Sequence, residues 1–145
     1  MDIRENFDNI KKEIVETCGK VDRNPEDVKV IAVTKYVTDA RVEQAIDAGV
    51  DAFAENRPQN YLERKQKYSD KEWHLIGSLQ TRKVRDVINH VDYFHALDRE
   101  SLAKEIEKRA EDKVNCFVQV NVSGEESKHG LTPLETIEFI KGLEK

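Results

Sequence analysis

Long hydrophobic runs are missing from this sequence. The longest, Val30-Ile31-Ala32-Val33, lasts four residues, far short of the roughly 20 that cross a bilayer. The opening Met1-Asp2-Ile3-Arg4-Glu5 likewise lacks the apolar core of a secretory signal, so the expectation is a cytoplasmic protein without membrane attachment. Cysteine is nearly absent. Cys18 and Cys116 have no CxxC spacing, which makes them small apolar fillers rather than a disulfide or a metal site. An excess of positive charge is lacking too: the net charge of −5 argues against nonspecific nucleic-acid binding, which needs a concentrated cationic field. Finally, no Gly-x-Gly-x-x-Gly follows the first strand candidate. Thr-Lys-Tyr-Val-Thr-Asp follows Val33 instead, without the glycines that let a backbone approach a pyrophosphate.

What is present is a regular alternation. The 145 residues supply one domain's worth of core, and 37% charged against 38% hydrophobic residues suits amphipathic helices around a buried sheet. Apolar runs of strand length occur at 29–33, 52–55, 73–76, 93–97 and 116–122, separated by helix-length amphipathic stretches, the pattern of βα units and a parallel sheet. The strand ends are evenly spaced. Lys35, Asn56, Gly77 and Asp98 are each 21 residues apart, and Ser123 follows 25 later, a period that fits one strand, loop and helix.

The helices carry their own punctuation. An opening helix places Ile3, Phe7, Ile10, Ile14 and Cys18 on one stripe and is expected to stop at Gly19. The next starts near Thr38 or Asp39 and ends at Gly49 in a left-handed cap. Pro58 reads as a first helical residue, Asp98 as a cap, and Thr132-Pro133-Leu134-Glu135 as the start of a helix running into Lys145. A leading helix and five βα units make the start of a (β/α)8 TIM-type barrel or most of a doubly wound open sheet. The missing glycine fingerprint favours the barrel. Only about its first five units are present in residues 1–145, so the single domain is expected to be C-terminally incomplete, with an edge to cover.

In either architecture ligands bind at the C-terminal ends of parallel strands, which brings forward Lys35, Glu55, Asn56, His74, Gly77, Ser78, Asp98, Asn121 and Ser123. Lys35 ends the first apolar run. Facing inward beside Val33 and Ile31, its amine would rest on an apolar floor that disfavours the charged form and makes it a nucleophile toward carbonyls. Alternation in the last strand sets Cys116, Val118, Val120 and Val122 against the helices and leaves Phe117, Gln119, Asn121 and Ser123 inward, which suggests a polar ligand. The loop Ser123-Gly124-Glu125-Glu126-Ser127-Lys128-His129-Gly130 brings a second lysine to that end. A histidine such as His74, His95 or His129 is more often a hydrogen-bonded structural residue than a catalyst, and Thr81-Arg82-Lys83-Val84-Arg85 reads as the solvated face of a helix.

Four segments together carry a resemblance: Ile31-Ala32-Val33-Thr34-Lys35; Phe53-Ala54-Glu55-Asn56-Arg57-Pro58-Gln59; Trp73-His74-Leu75-Ile76-Gly77-Ser78-Leu79-Gln80-Thr81-Arg82-Lys83; and Asn121-Val122-Ser123 through His129-Gly130. In this order and spacing the sequence resembles the pyridoxal phosphate homeostasis proteins of the YggS/PROSC type, with Ala54 where that family usually has glycine. The resemblance implies an alanine racemase N-terminal-type barrel holding pyridoxal 5′-phosphate as a Schiff base on Lys35. It places Asn56 near the cofactor ring and gives Lys128 a part in cofactor exchange; Asn121 and His74, by their strand-end positions, are further candidate contacts. It implies a carrier in vitamin B6 homeostasis rather than an established enzyme, monomeric or weakly dimeric, with PLP-dependent apo-enzymes as possible recipients. It also puts the phosphate-binding segments beyond residue 145, so these 145 residues alone are expected to hold the cofactor weakly or not at all.

Two other functions compete. A PLP-dependent amino-acid racemase of this fold sets a second acid/base residue opposite the lysine, commonly a tyrosine from an additional domain of a partner subunit, and no such domain is visible here. A Schiff-base aldolase would attack sugar carbonyls directly with Lys35 and would need no cofactor.

Overall fold

The computed structural model describes residues 2–126 and 128–143. Among these residues six helices and five strands alternate. The helices are α1 (Ile3–Lys20), α2 (Asp39–Asp47), α3 (Pro58–Lys67), the short α4 (Val84–Val87), α5 (Glu100–Arg109) and α6 (Pro133–Leu143). The strands are β1 (Ala32–Val33), β2 (Ala52–Glu55), β3 (Glu72–Leu75), β4 (Tyr93–Leu97) and β5 (Asn115–Val118). They form a five-stranded sheet in the order β1-β2-β3-β4-β5, and β1–β2, β3–β4 and β4–β5 pair in parallel. The chain divides into a compact unit ending at Ala54 and a second beginning at Glu55. Among the described residues no helix is long and apolar enough to cross a membrane.

In the first unit, Asp2 caps α1 by accepting from the Arg4 and Glu5 amides. The helix does not stop at Gly19. It runs on to Lys20, because the Cys18 carbonyl accepts from both Val21 and Arg23 N–H, and Asp22 rather than glycine takes the left-handed conformation. Of the expected apolar stripe only Cys18 is buried, with Ile3, Phe7 and Ile14 half-buried and Ile10 exposed. Thr38 caps α2 through the Arg41 amide. Gly49 closes it at φ +105°, and Val50 tucks in behind, as the sequence indicated. β1 is shorter than the expected span of 29–33. Its partner β2 starts only at Ala52, so pairing begins with Ala32↔Phe53 and Val33↔Ala54.

The second unit is built on Trp73, Tyr61, Phe94, Leu75, Ile88 and Leu102, all fully buried. Pro58 opens α3, with its fixed φ at the position where no amide partner is needed. Between β3 and β4 the chain makes a 3₁₀ turn (Thr81–Lys83), α4 and another 3₁₀ turn (Ile88–His90) in place of one continuous helix. Leu79, Val84, Val87 and Ile88 anchor this stretch while Arg82, Lys83 and Arg85 stay exposed. Asp98 does not cap α5. Arg99 occupies the cap position, and Asp98 instead accepts from its guanidinium at 3.0 Å while that group also reaches Leu79 O at 2.7 Å and Thr81 Oγ1 at 3.3 Å. Thr132 caps α6 through the Glu135 amide at 3.1 Å; the expected continuation over 144–145 lies outside the described residues, as does Ser127.

β5 also ends earlier than the expected residue 122. The inward and outward alternation holds over Cys116, Phe117 and Val118, but past Gln119, whose N–H bonds Leu97 O at 2.9 Å, the backbone changes partner. Val120 bridges Leu131 in parallel, with Asn121 N–H donating to Leu131 O and Leu131 N–H to Gln119 O. Val122 is consequently exposed rather than packed on helices.

Candidate functional site

Lys35 stands at the corner of a tight turn. Thr34 continues the β1 pairing by donating both its N–H (3.0 Å) and its hydroxyl (3.1 Å) to Ala54 O, and it is buried. Val37 N–H then bonds Thr34 O at 3.2 Å, closing the turn Thr34-Lys35-Tyr36-Val37. The reversal places Tyr36 at φ 68°, a conformation that bulky L-residues rarely accept. Its ring is 85% exposed, and the Lys35 ammonium lies 6.0 Å from the ring centroid.

Lys35 is exposed, and of the apolar residues expected beneath it Val33 is 51% exposed and Ile31 half-buried. What distinguishes the amine is backbone geometry. A turn anchored by Thr34 and strained at Tyr36 presents it to whatever approaches the strand end, and such strain persists where a site requires it.

In the second unit, Asn56 follows β2 directly, half-buried. Gly77, at φ +80°, lies beside it, where a β-carbon would be in ordinary contact at 3.5 Å from Asn56 Cβ, and Ile76 N–H bonds Glu55 O at 2.9 Å. These contacts bring two of the evenly spaced strand-end residues together. Among the described residues the side-chain amide of Asn56 has no hydrogen-bond partner, which leaves it open to a ligand.

Asn121 and Lys128 are joined through their loop. The Asn121 amide donates to Glu125 O at 2.7 Å and Lys128 O at 3.4 Å, while its Oδ1 accepts from the Ser123 hydroxyl and Gly124 N–H. Every polar atom of that side chain is thus spent on shaping the loop. Gln119 adds a hydrogen bond to His129 O at 3.1 Å. Lys128 is exposed at the end of this scaffold, its N–H bonded to Glu125 O.

His74 is 2% exposed and has both nitrogens engaged, Nε2 with Glu72 Oε2 at 3.0 Å and Nδ1 with His95 Nε2 at 2.7 Å. Its ring stacks on Tyr93 at 4.6 Å. No nitrogen remains for a ligand. Sequence reasoning missed His95 as its partner, although the signal was present: His74 and His95 are themselves 21 residues apart, the same period that spaces the strand ends. Both cysteines are free thiols, and burial pushes Cys116 up from the ordinary thiol range, away from nucleophilic use.

Parallel βα units with a lysine turn after the first strand define the class. The profile described as "Alanine racemase, N-terminal domain" matches residues 3–145, and the chain belongs to that family. It is 36% identical to the pyridoxal phosphate homeostasis protein of Haemophilus influenzae over 151 residues, covering 99% of this chain and 64% of that one. A crystal structure of a protein from Bifidobacterium adolescentis superposes with TM-score 0.87 at 28% identity, covering 98% of this chain and 64% of that one. PipY of Synechococcus elongatus, solved with PLP bound, gives TM-score 0.74 at 26% identity, covering 90% and 63%. The chain therefore spans somewhat less than two thirds of the length of these relatives.

Proposed function

We propose that the whole protein to which these residues belong binds pyridoxal 5′-phosphate, held covalently through the Lys35 amine, and serves intracellular PLP homeostasis as a carrier rather than a catalyst. The observation that carries the reading is the Thr34–Val37 turn, which spends backbone strain at Tyr36 to expose one primary amine at a strand end. The donor set suits the group, since an aldehyde needs an accessible amine and a polar ring needs a hydrogen-bonding neighbour. PipY, a relative of the same family, holds PLP in its crystal structure, and the Haemophilus relative is named for PLP homeostasis.

Lys35 is the attachment residue, and Asn56 offers its open amide to the ring. Lys128 is a second amine that competes for the aldehyde and so assists exchange. Asn121 acts on the site through Lys128, whose loop it holds, and His74 acts through the packing beneath the strand ends. The five βα units belong to a (β/α)8 barrel, and the protein works in the cytoplasm as a monomer or weak homodimer that passes cofactor to PLP-dependent apo-enzymes.

Borohydride reduction of the full-length protein after incubation with pyridoxal 5′-phosphate, followed by peptide mapping, tests this. A phosphopyridoxyl label on Lys35 is expected. A label confined to Lys128, or no label at either lysine, would overturn it.

A further inference from the structure

Glu72, His74 and His95 form a hydrogen-bonded row on the face of β3 and β4 turned away from α3. The order of protons along it follows from the acceptors. Glu72 accepts from His74 Nε2–H, so in the neutral row His74 Nδ1 is bare and must accept from His95 Nε2–H across 2.7 Å. One added proton leaves the row intact, because either ring can become the cation while the other still offers a bare nitrogen. A second added proton does not. It sets two N–H groups and two positive charges face to face with no acceptor between them.

We propose that Glu72, His74 and His95 form a proton-sharing latch between β3 and β4 that stays closed with no or one added proton and opens locally when a second arrives. This goes beyond cofactor binding and does not depend on it. The surroundings favour a latch. His95 lies against Phe117 of β5 at 4.7 Å, and Phe117 is 53% exposed, so the His95 ring has room to swing outward with it. His74, by contrast, is pinned by the Tyr93 ring and is buried. Burial first, and the nearby His74 second, hold His95 below the usual imidazole range.

Other charges stand at the Glu72 end of the row, where Asp70, Lys71, Asp92 and Lys113 line a cavity with Glu72 and Tyr93. β3 supplies Glu72 and β4 supplies Tyr93, whose ring stacks on His74 at 4.6 Å. β5 supplies Phe117 and Asn115, neither of them ionisable. α3 supplies Lys65, which lines the same cavity and pairs with Asp92 at 2.8 Å. β2, the other neighbour of β3, ends on the buried Glu55.

The test is a histidine side-chain NMR titration of the chain from about pH 8 to 4.5, with the Phe117, Tyr93 and Trp73 ring signals followed in parallel. The His74 and His95 signals are expected to share two coupled steps more than about one pH unit apart, and the Phe117 signals to shift only with the lower step. Two independent single steps with one midpoint, or a Phe117 ring that ignores the lower step, would overturn the latch. So would a Trp73 signal that moves with the lower step, because Trp73 is buried on the α3 side and moves only if the unit unfolds as a whole. In H95Q the glutamine amide can still donate to His74 Nδ1 but takes no proton. The lower step should vanish, and its persistence would reject the mechanism.

Discussion

A β-carbon at residue 130 would lie 2.9 Å from the backbone nitrogen of Asn121, closer than real contacts allow, and Gly130 has φ +122° besides. Glycine is therefore required where the loop carrying Lys128 returns to pair with Val120, just beyond β5. Gly130→Ala should cost more than about 1 kcal/mol, from left-handed strain and a clash with backbone that cannot move aside cheaply. Thermal unfolding would show the lower midpoint. Limited proteolysis should cut at 123–129 faster than in the wild type, and unchanged cleavage would mean the loop is not held through this contact.

Tyr61 is the polar keystone of the second unit. Its hydroxyl accepts from Asp92 N–H at 3.1 Å and shares its proton between His90 O (3.0 Å) and Trp73 O (3.2 Å). Burial raises its pKa far beyond the ordinary phenol value, so it remains a neutral donor. Tyr61→Phe keeps the ring and strands these partners, at a cost of about 1–3 kcal/mol. The urea midpoint should fall while the slope of the transition stays constant.

His95 gives stability a pH dependence of definite sign. The unfolded ring gains its proton near pH 6.5, whereas the folded ring resists it because of burial and the nearby His74. Between the two values the unfolded state binds more protons, so stability falls as pH drops below about 6.5 and is unaffected by this group above it. One proton limits the slope to about 1.4 kcal/mol per pH unit, and solvent screening of this half-exposed ring keeps the effect well under that limit. Urea titrations at pH 7 and 5.5 should show a smaller drop for H95Q than for the wild type; equal drops would remove His95 from the explanation.

Tyr36 should tolerate glycine better than an ordinary exposed residue does. The left-handed conformation costs an L-residue about 1–2 kcal/mol, and the exposed ring has little burial to lose. Tyr36→Gly is expected to be neutral or stabilising by about 1 kcal/mol, with Tyr36→Val strongly destabilising. A destabilised glycine variant would show that the ring contributes contacts outweighing the strain.

The parallel βα order, the Thr38, Pro58 and Thr132 helix starts and the Gly49 stop were all legible in sequence, because each rests on local chemistry: hydrophobic period, a capping oxygen, a fixed φ or a missing β-carbon. The misreadings share a different cause. Asp98 is a good cap by residue type, yet Arg99 reaches two distant oxygens, Leu79 O and Thr81 Oγ1, and draws Asp98 into an ion pair. Residues 119–122 alternate as a strand should, yet Leu131 returns from the loop and captures the backbone. Alternation alone puts Asn121 on the ligand face, and it cannot show that Glu125, Lys128, Ser123 and Gly124 come round to use the polar atoms of that side chain.

Sequence by itself determined that a lysine would end the first strand and that evenly spaced polar residues would gather at the strand ends, since period and chain connectivity decide those. Tertiary structure alone decided the environment of each. Lys35 is exposed on a strained turn, Asn56 rests against Gly77, and His74 is sealed by Glu72, Tyr93 and His95. Burial and hydrogen-bond partners depend on which distant residues arrive at a given point, and pairwise register, set by the packing of whole strands, is what brings them there.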